Sequence, residues 1–187
     1  LGASGGTFGS TGGRLTVNSI IAGTGFLNST GGLELGGVNT YSGGTRIASG
    51  GYVALFNDNN LGAVPGSVDA NNIRLSGSLF SEGVNVTLNA KRGINIDGAS
   101  GNLAGYVSDL TVNGIITGNT LTISGSGGTG KVILMGANTH AATDVQTLTL
   151  VSGAAGVLAD TGAVTVAIGA TWNMTSFAET VGSIAGA

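Results

Sequence analysis

The chain has 187 residues, of which 37 are glycine and one is proline, and its formal net charge is −3 at neutral pH. Hydrophobic residues make up 41% and charged residues only 8%, so the chain has the apolar surface that a disordered protein lacks. Six basic residues and no cysteine exclude a cationic nucleic-acid surface, a disulfide scaffold and a thiolate metal site.

Short strands are the main local signal. Apolar–polar–apolar triplets direct two aliphatic side chains to one face of a strand and a small polar side chain to the other. In chain order the triplets are residues 15–17, 33–35, 73–75, 86–88, 94–96, 110–112, 121–123, 148–150 and 164–166. The predicted corner spacers, rich in Gly and Asn, are 12–13, 31–32, 43–44, 57–60, 98–102 and 127–128. Glycine at this density argues against long helices.

An internal repeat decides how such short strands are arranged. Residues 15–23 recur at 110–118, an offset of 95, and Gly-Val-Asn-Thr-Tyr at 37–41 recurs as Gly-Ala-Asn-Thr-His at 136–140, an offset of 99. Triplets alone allow an antiparallel sandwich or a solenoid, and self-similarity favours coils stacked along one axis. We therefore predict one β-solenoid over residues 1–187, with repeat copies at about 14–108 and 109–187.

The size of the solenoid follows from its geometry. At about 20–25 residues per coil and about 4.8 Å between rungs, the chain should form roughly eight coils and a body about 40 Å long. The first residue is Leu and no signal-peptide pattern follows it, so we expect a mature or excised segment.

A family resemblance becomes specific at Asn-Thr-Tyr-Ser-Gly-Gly-Thr, residues 39–45. Residues 32–62 resemble the autotransporter-associated β-strand repeat, also called the passenger-associated transport repeat. Segments 92–94, 110–118, 169–172 and 180–186 are similar to the flanking pattern in those proteins, whereas residues 140–144 of the second copy depart from the turn. The resemblance implies a right-handed parallel β-helix in a bacterial passenger that is exported across the outer membrane to the cell surface or beyond. The implied role is a structural or adhesive stalk.

Motifs with known chemistry occur without the structural context that they need. Residues 125–131 fit a dinucleotide fingerprint and most of a P-loop, but Val132 replaces the Ser or Thr and a strand is predicted next. Gly-Ala-Ser-Gly-Gly at 2–6 matches a nucleophile elbow without its strand and helix.

His140 is the only histidine in the sequence and is interpreted as a corner residue. Asn57–Asn60 and Asp97-Gly98 carry oxygen ligands for Ca²⁺ but are interpreted as turns.

We assign no catalytic, cofactor-binding or metal residues and expect no enzyme activity, nucleic acid or small-molecule cofactor. Expected partners are a host or neighbouring-cell surface, a glycan, or a second copy of the chain, contacted through loops at 57–70 and 98–108.

Two alternative functions remain open. One is a subunit that assembles end to end into an extracellular filament through its strand edges. The other is a carbohydrate-active β-helix enzyme, which needs at least two acidic groups and an aromatic residue in one groove, with Glu34 as a candidate acid.

Overall fold

The chain folds as a parallel β-solenoid of about nine turns, with 45% of its residues in strands and 2% in helix. A computed structural model describes residues 1–10 and 12–186. Among these residues, all strand pairs are parallel. The predicted all-β, parallel β-helix architecture is therefore confirmed, and an antiparallel sandwich is excluded for this part of the chain.

The coils form three faces, each a column of strands one above another. The first face contains β1 (Gly6–Phe8), β3 (Leu27–Ser29), β5 (Thr45–Ile47), β7 (Asp69–Leu75) and the first halves of β10 (Arg92–Gly105) and β12 (Ile116–Ile123). The second face contains β2 (Arg14–Val17), β4 (Gly32–Leu35), β6 (Tyr52–Leu55), β8 (Ser78–Ser81), the second halves of β10 and β12, β14 (Ala142–Val145), β16 (Ala163–Val166) and β18 (Ser183–Gly186). The third face contains β9 (Val86–Leu88), β11 (Leu110–Val112), β13 (Lys131–Leu134), β15 (Thr149–Ser152) and β17 (Thr171–Asn173).

Apart from Leu15 in the first triplet, which is exposed, the aliphatic side chains of the predicted triplets are buried or partly buried in the solenoid. On the second face, Leu33, Val53, Leu79, Leu103, Ile123 and Val145 follow one another in register and are fully buried. On the third face, Val86, Leu110, Val132 and Leu150 do the same. Each fully buried aliphatic side chain contributes about 1.5–3 kcal/mol. The core is therefore a continuous column along the axis.

The coils differ in length, which explains why about nine form rather than the predicted eight. On the second face, Leu15 pairs with Leu33 across a short coil, whereas Val53 pairs with Leu79 across a long one. Most of the later coils lie near the lower end of the predicted length, as the pairing of Leu103 with Ile123 illustrates. Short coils allow one more turn in the same chain.

Residues 98–102 form the predicted corner within a strand, because β10 continues through them to Gly105, and the prediction of a contact loop at 98–108 is therefore wrong for residues 98–105. The strand shifts register between Ile96 and Ser100, where it passes from the first face to the second. A Cβ on Gly98 would lie 2.8 Å from Ser76 Cβ, and one on Gly101 would lie 2.8 Å from Leu75 Cγ. These glycines therefore allow close approach of the preceding coil and do not form a loop.

The connection between β6 and β7 contains a short helix. A 3₁₀ helix spans Asp58–Leu61 and begins after Asn57, whose side chain accepts a hydrogen bond from the Asn59 amide (3.2 Å). In the described ranges 1–10 and 12–186, no helix has the length and apolar character needed to cross a bilayer.

Candidate binding groove

The Asn-Thr-Tyr turn forms a buried corner between β4 and β5. Asn39 Oδ1 accepts a hydrogen bond from the Ile21 amide of the preceding coil (2.7 Å), and its Nδ2 donates to the Asn60 carbonyl of the next coil (2.6 Å). The Tyr41 hydroxyl lies 2.6 Å from Thr45 Oγ1, and both side chains are buried. These residues join three coils and do not present groups for a ligand.

The second copy builds the same corner. Asn138 Oδ1 accepts from the Ile116 amide (2.6 Å), and Asn138 Nδ2 donates to the Val157 carbonyl (2.7 Å). Ile116 corresponds to Ile21 at the offset of 95, and Asn138 corresponds to Asn39 at the offset of 99. The residues matched by the repeat therefore make equivalent contacts, while the limits of the two copies, 14–108 and 109–187, stay a prediction.

His140 replaces the Tyr41 of the first copy and is also buried. Its Nε2 lies 2.8 Å from Thr143 Oγ1, and its Nδ1 has no hydrogen-bond partner in the described part of the chain. Burial lowers the pKa of His140 from 6.5 to about 4, since a buried ring disfavours the charged form. Burial acts on Tyr41 in the opposite sense and raises its pKa to about 12. Both rings are therefore neutral corner residues, as interpreted for His140 from the sequence.

Arg92 is fully buried and holds the long connection after β6 in place. Its Nε donates to Asp58 Oδ1 (2.9 Å), its Nη1 to Asn72 Oδ1 (3.0 Å) and its Nη2 to the Gly62 carbonyl (2.6 Å). Further hydrogen bonds reach the carbonyls of Leu61, Ala63 and Asp58. Part of the predicted contact loop at 57–70 is thereby fixed from inside the solenoid, and Asp58 is a partner of Arg92.

An aromatic ridge crosses the outer surface of the second face. It consists of Tyr52, Phe80 and Tyr106, one from each of three successive coils. The ring centroids of Tyr52 and Phe80 are 5.6 Å apart, and those of Phe80 and Tyr106 are 6.3 Å apart. The side chain of Tyr106 is 41% exposed. Tyr52 pairs with Ser78, two residues before Phe80, and Phe80 pairs with Ala104, two residues before Tyr106. Each ring is therefore displaced by two residues from the ring of the preceding coil, and the ridge runs diagonally across the face.

A neutral depression lies on one side of the ridge. Its volume is about 290 Å³, close to the lower limit for small-molecule pockets. Besides the three rings it is lined by Ser78, Asn102, Ala104, Ser124, Gly125 and Ser126. Asn102 is held between coils, because its Nδ2 donates to the Ser124 carbonyl (2.9 Å) and its Oδ1 accepts from the Ser124 amide (3.0 Å). The polar floor of this depression is therefore ordered by contacts between coils.

A charged depression of about 220 Å³ shares the same three rings and adds Arg14 and Glu82. Arg14 Nη1 forms ion pairs with Glu82 and with Glu34 Oε2, the latter at 3.0 Å. Its Nη2 donates a second hydrogen bond to Glu82 Oε1 (3.1 Å). The hydrogen bond with Glu82 raises the pKa of Arg14. Two carboxylates and one guanidinium thus meet at one end of the aromatic ridge. We call the two depressions and the ridge the groove.

The other motifs found in the sequence lie outside the groove or only touch it. Gly125 and Ser126 line the groove, but the rest of 125–131 leads from β12 into β13, a strand, as predicted. Asp97 receives hydrogen bonds from Arg74 Nε (2.9 Å) and Ser76 Oγ (2.6 Å) on the first face. Within residues 1–10 and 12–186, no group of three or more His, Asp or Glu side chains is arranged to hold a metal ion.

In comparisons with known proteins, no protein-family model, curated protein or solved structure matches this chain. The resemblance of residues 32–62 to the autotransporter-associated repeat therefore stays a prediction.

Proposed function

We propose that this chain is a non-catalytic structural and adhesive segment, a stalk, of a secreted or surface-displayed bacterial passenger of the autotransporter type. The observation that carries the proposal is the continuous aliphatic column, in which each coil is paired to its neighbours through the backbone and through buried corner residues such as Asn39 and Asn138. A rod of this kind holds surface groups at fixed positions far from its base. The family resemblance supports the passenger assignment and the export across the outer membrane.

Surface labelling of the source bacterium tests the proposal. An antibody raised against the purified chain should stain intact cells or detect the chain in the culture medium. A cytoplasmic protein should stain only after permeabilisation and serves as the control. Staining that appears only in permeabilised cells would contradict the proposed location.

A carbohydrate-active enzyme is the second candidate, because Glu34 and Glu82 both contact Arg14 at the end of the aromatic ridge. Paired carboxylates near a sugar-binding surface are the basic requirement for glycoside hydrolysis. Arg14 forms ion pairs with both carboxylates, so both are engaged by the same guanidinium and are not placed on either side of a bound sugar linkage. We therefore favour binding over hydrolysis. Release of reducing ends from oligosaccharides that is lost in Glu82→Gln would reverse this preference.

The filament alternative has a separate test. Negative-stain images of the purified chain should show single short rods if the chain is a stalk segment. Rods that lengthen with concentration would instead favour end-to-end assembly.

A further inference from the structure

We infer that the groove formed by Tyr52, Phe80 and Tyr106 is a binding site for a neutral oligosaccharide. The groove brings together three exposed or half-buried rings in a chain that is only 5% aromatic. The inference deepens the proposed adhesive role and rests on it for its biological use. The binding itself is a property of the purified chain and is tested without cells.

The chemistry of the ridge fits sugar rings. A pyranose carries C–H groups on its faces, which pack on aromatic rings, and hydroxyls on its edge, which need hydrogen-bond partners when they leave water. Among the described residues, the hydroxyls of Tyr52 and Tyr106 have no hydrogen-bond partner, so both remain available to a ligand. Ser78 and Ser126 add hydroxyl groups along the neutral depression, and Asn102, whose amide is already hydrogen-bonded within the protein, shapes its floor. The ring spacings of 5.6 and 6.3 Å are comparable with one sugar unit of an extended chain.

The charges of the groove select a neutral ligand. Arg14 and Glu82 line the charged depression, and with Glu34, the second ion-pair partner of Arg14, they form a cluster of formal charge −1; the whole chain is also negative. An acidic polysaccharide would be repelled at this end of the groove. The Arg14–Glu82 pair instead offers donors and acceptors to sugar hydroxyls.

The position of the groove disfavours a peptide or a second copy of the chain. β6, β8 and the second half of β10 are paired on both sides, so no strand edge is available for an added peptide strand. Nine residues line the neutral depression, far fewer than the about 20–30 residues per side of a stable protein interface. A short oligosaccharide matches the size of the site.

The ridge is held in place before any ligand binds. A Cβ added to Gly32 would lie 2.5 Å from Tyr52 Oη and 2.6 Å from Tyr52 Cζ, so the absence of a side chain at Gly32 makes room for this ring. The ring of Phe80 is packed between the two tyrosines. A preformed surface loses less conformational entropy on binding, which favours measurable affinity in a shallow site.

Isothermal titration of the purified chain with defined oligosaccharides tests the inference. The neutral probes are cellopentaose, chitopentaose and maltopentaose, and the acidic probe is pentagalacturonic acid. We expect saturable binding of at least one neutral probe and weaker or no binding of the acidic one. Tyr106→Ala should weaken binding by about tenfold, the effect of one lost aromatic contact. Phe177→Ala is the matched control, because Phe177 is 42% exposed and does not line the groove.

No saturable binding of any neutral probe, equal affinity for the acidic probe, or an unchanged affinity in Tyr106→Ala would overturn the inference. If Tyr106→Ala does not fold, Tyr52→Phe removes only a hydroxyl, and a several-fold loss of affinity is then expected, with an unchanged affinity counting against the site. Surface staining without oligosaccharide binding would reject this site and leave the proposed stalk intact. Oligosaccharide binding without surface staining would support this site and contradict the proposed location of the stalk.

Discussion

The two corners that carry the repeated Asn-Thr motif share the contacts of their asparagine and differ in the side chains around it. In each corner an asparagine, Asn39 or Asn138, accepts from the coil before and donates to the coil after. The first corner adds Tyr41 and the buried cation Arg92, which binds carbonyl groups of the adjoining connection. The second corner has His140 and uses the carboxylate of Glu179, which accepts from the amides of Val157 (3.0 Å) and Leu158 (3.3 Å).

The comparison separates what the coil geometry requires from what each copy adds. Ile21 and Ile116 each have a buried amide that would lack a partner without the asparagine. Arg92 satisfies carbonyls of a connection that the second copy builds differently. We therefore expect loss of the asparagine to have similar effects in the two corners, and loss of the other groups to have unequal effects.

Replacing Arg92 should have the largest effect. Arg92→Met keeps most of the side-chain volume but leaves Asp58 and several buried carbonyls without their donor, and we expect a loss of about 3–5 kcal/mol in the free energy of unfolding. Urea unfolding followed by circular dichroism measures this. Arg74→Met is the matched control, because Arg74 is 38% exposed in its ion pair with Asp97, and it should cost about 1 kcal/mol or less. Equal losses in the two variants would contradict the role given to Arg92.

Acid should weaken the second corner more than the first. The pKa of His140 is about 4 in the folded chain and about 6.5 in the unfolded chain, so the unfolded chain binds more protons between these values. The contribution of neutral His140 is complete above pH 6.5 and is lost as the pH falls towards 4, by about 3 kcal/mol in total.

Urea unfolding at pH 7, 5.5 and 4.5 tests this pH dependence against His140→Gln, which cannot titrate. Carboxylates also titrate in this range, so the quantity of interest is the difference between the two proteins. Identical pH profiles would show that His140 is not buried in its neutral form.

Removing either asparagine should destabilise the chain to a similar extent. Asn39→Ala and Asn138→Ala each leave a buried amide and a buried carbonyl without a side-chain partner, which costs about 1–3 kcal/mol. Hydrogen exchange should also accelerate at Ile21 in the first variant and at Ile116 in the second. A variant that unfolds like the unmodified chain would show that its corner does not depend on this contact.

The smallest effect is expected for the ring hydroxyl of the first corner. Tyr41→Phe removes the hydrogen bond to Thr45 and keeps the packing of the ring, so the loss should be about 1 kcal/mol. Thr143→Val removes the corresponding contact of His140 and is the matched variant in the second corner. A loss of several kcal/mol for Tyr41→Phe would mean that the hydroxyl has a larger role than this one contact.

The strands and the core could be predicted from the sequence, because both depend on local alternation. Eight of the nine triplets lie wholly within strands, and the ninth, 148–150, differs at one position, since β15 begins at Thr149. The two offsets of the repeat also matched residues that make equivalent corner contacts. These features depend on residues that are close in sequence or repeated.

The aromatic ridge could not be predicted, because it depends on the register between coils. Tyr52 pairs with Ser78, and Ser78 pairs with Asn102, across two coils of unequal length. Phe80 and Tyr106 are therefore shifted along their strands by amounts that only the register reveals. Burial of Arg92 was also missed, since a fully buried arginine needs partners that are distant in sequence, here Asp58 and Asn72.

Distances between spin labels test the parallel, in-register coils most directly, and the absence of cysteine allows two labels to be placed without other changes. Thr87 and Asn173 are four rungs apart on the third face, and Thr7 and Thr117 are five rungs apart on the first. At about 4.8 Å per rung, the backbone separations should be about 19 Å and about 24 Å, each extended by the label linkers. Distances that do not increase with the number of rungs would contradict the stacked column.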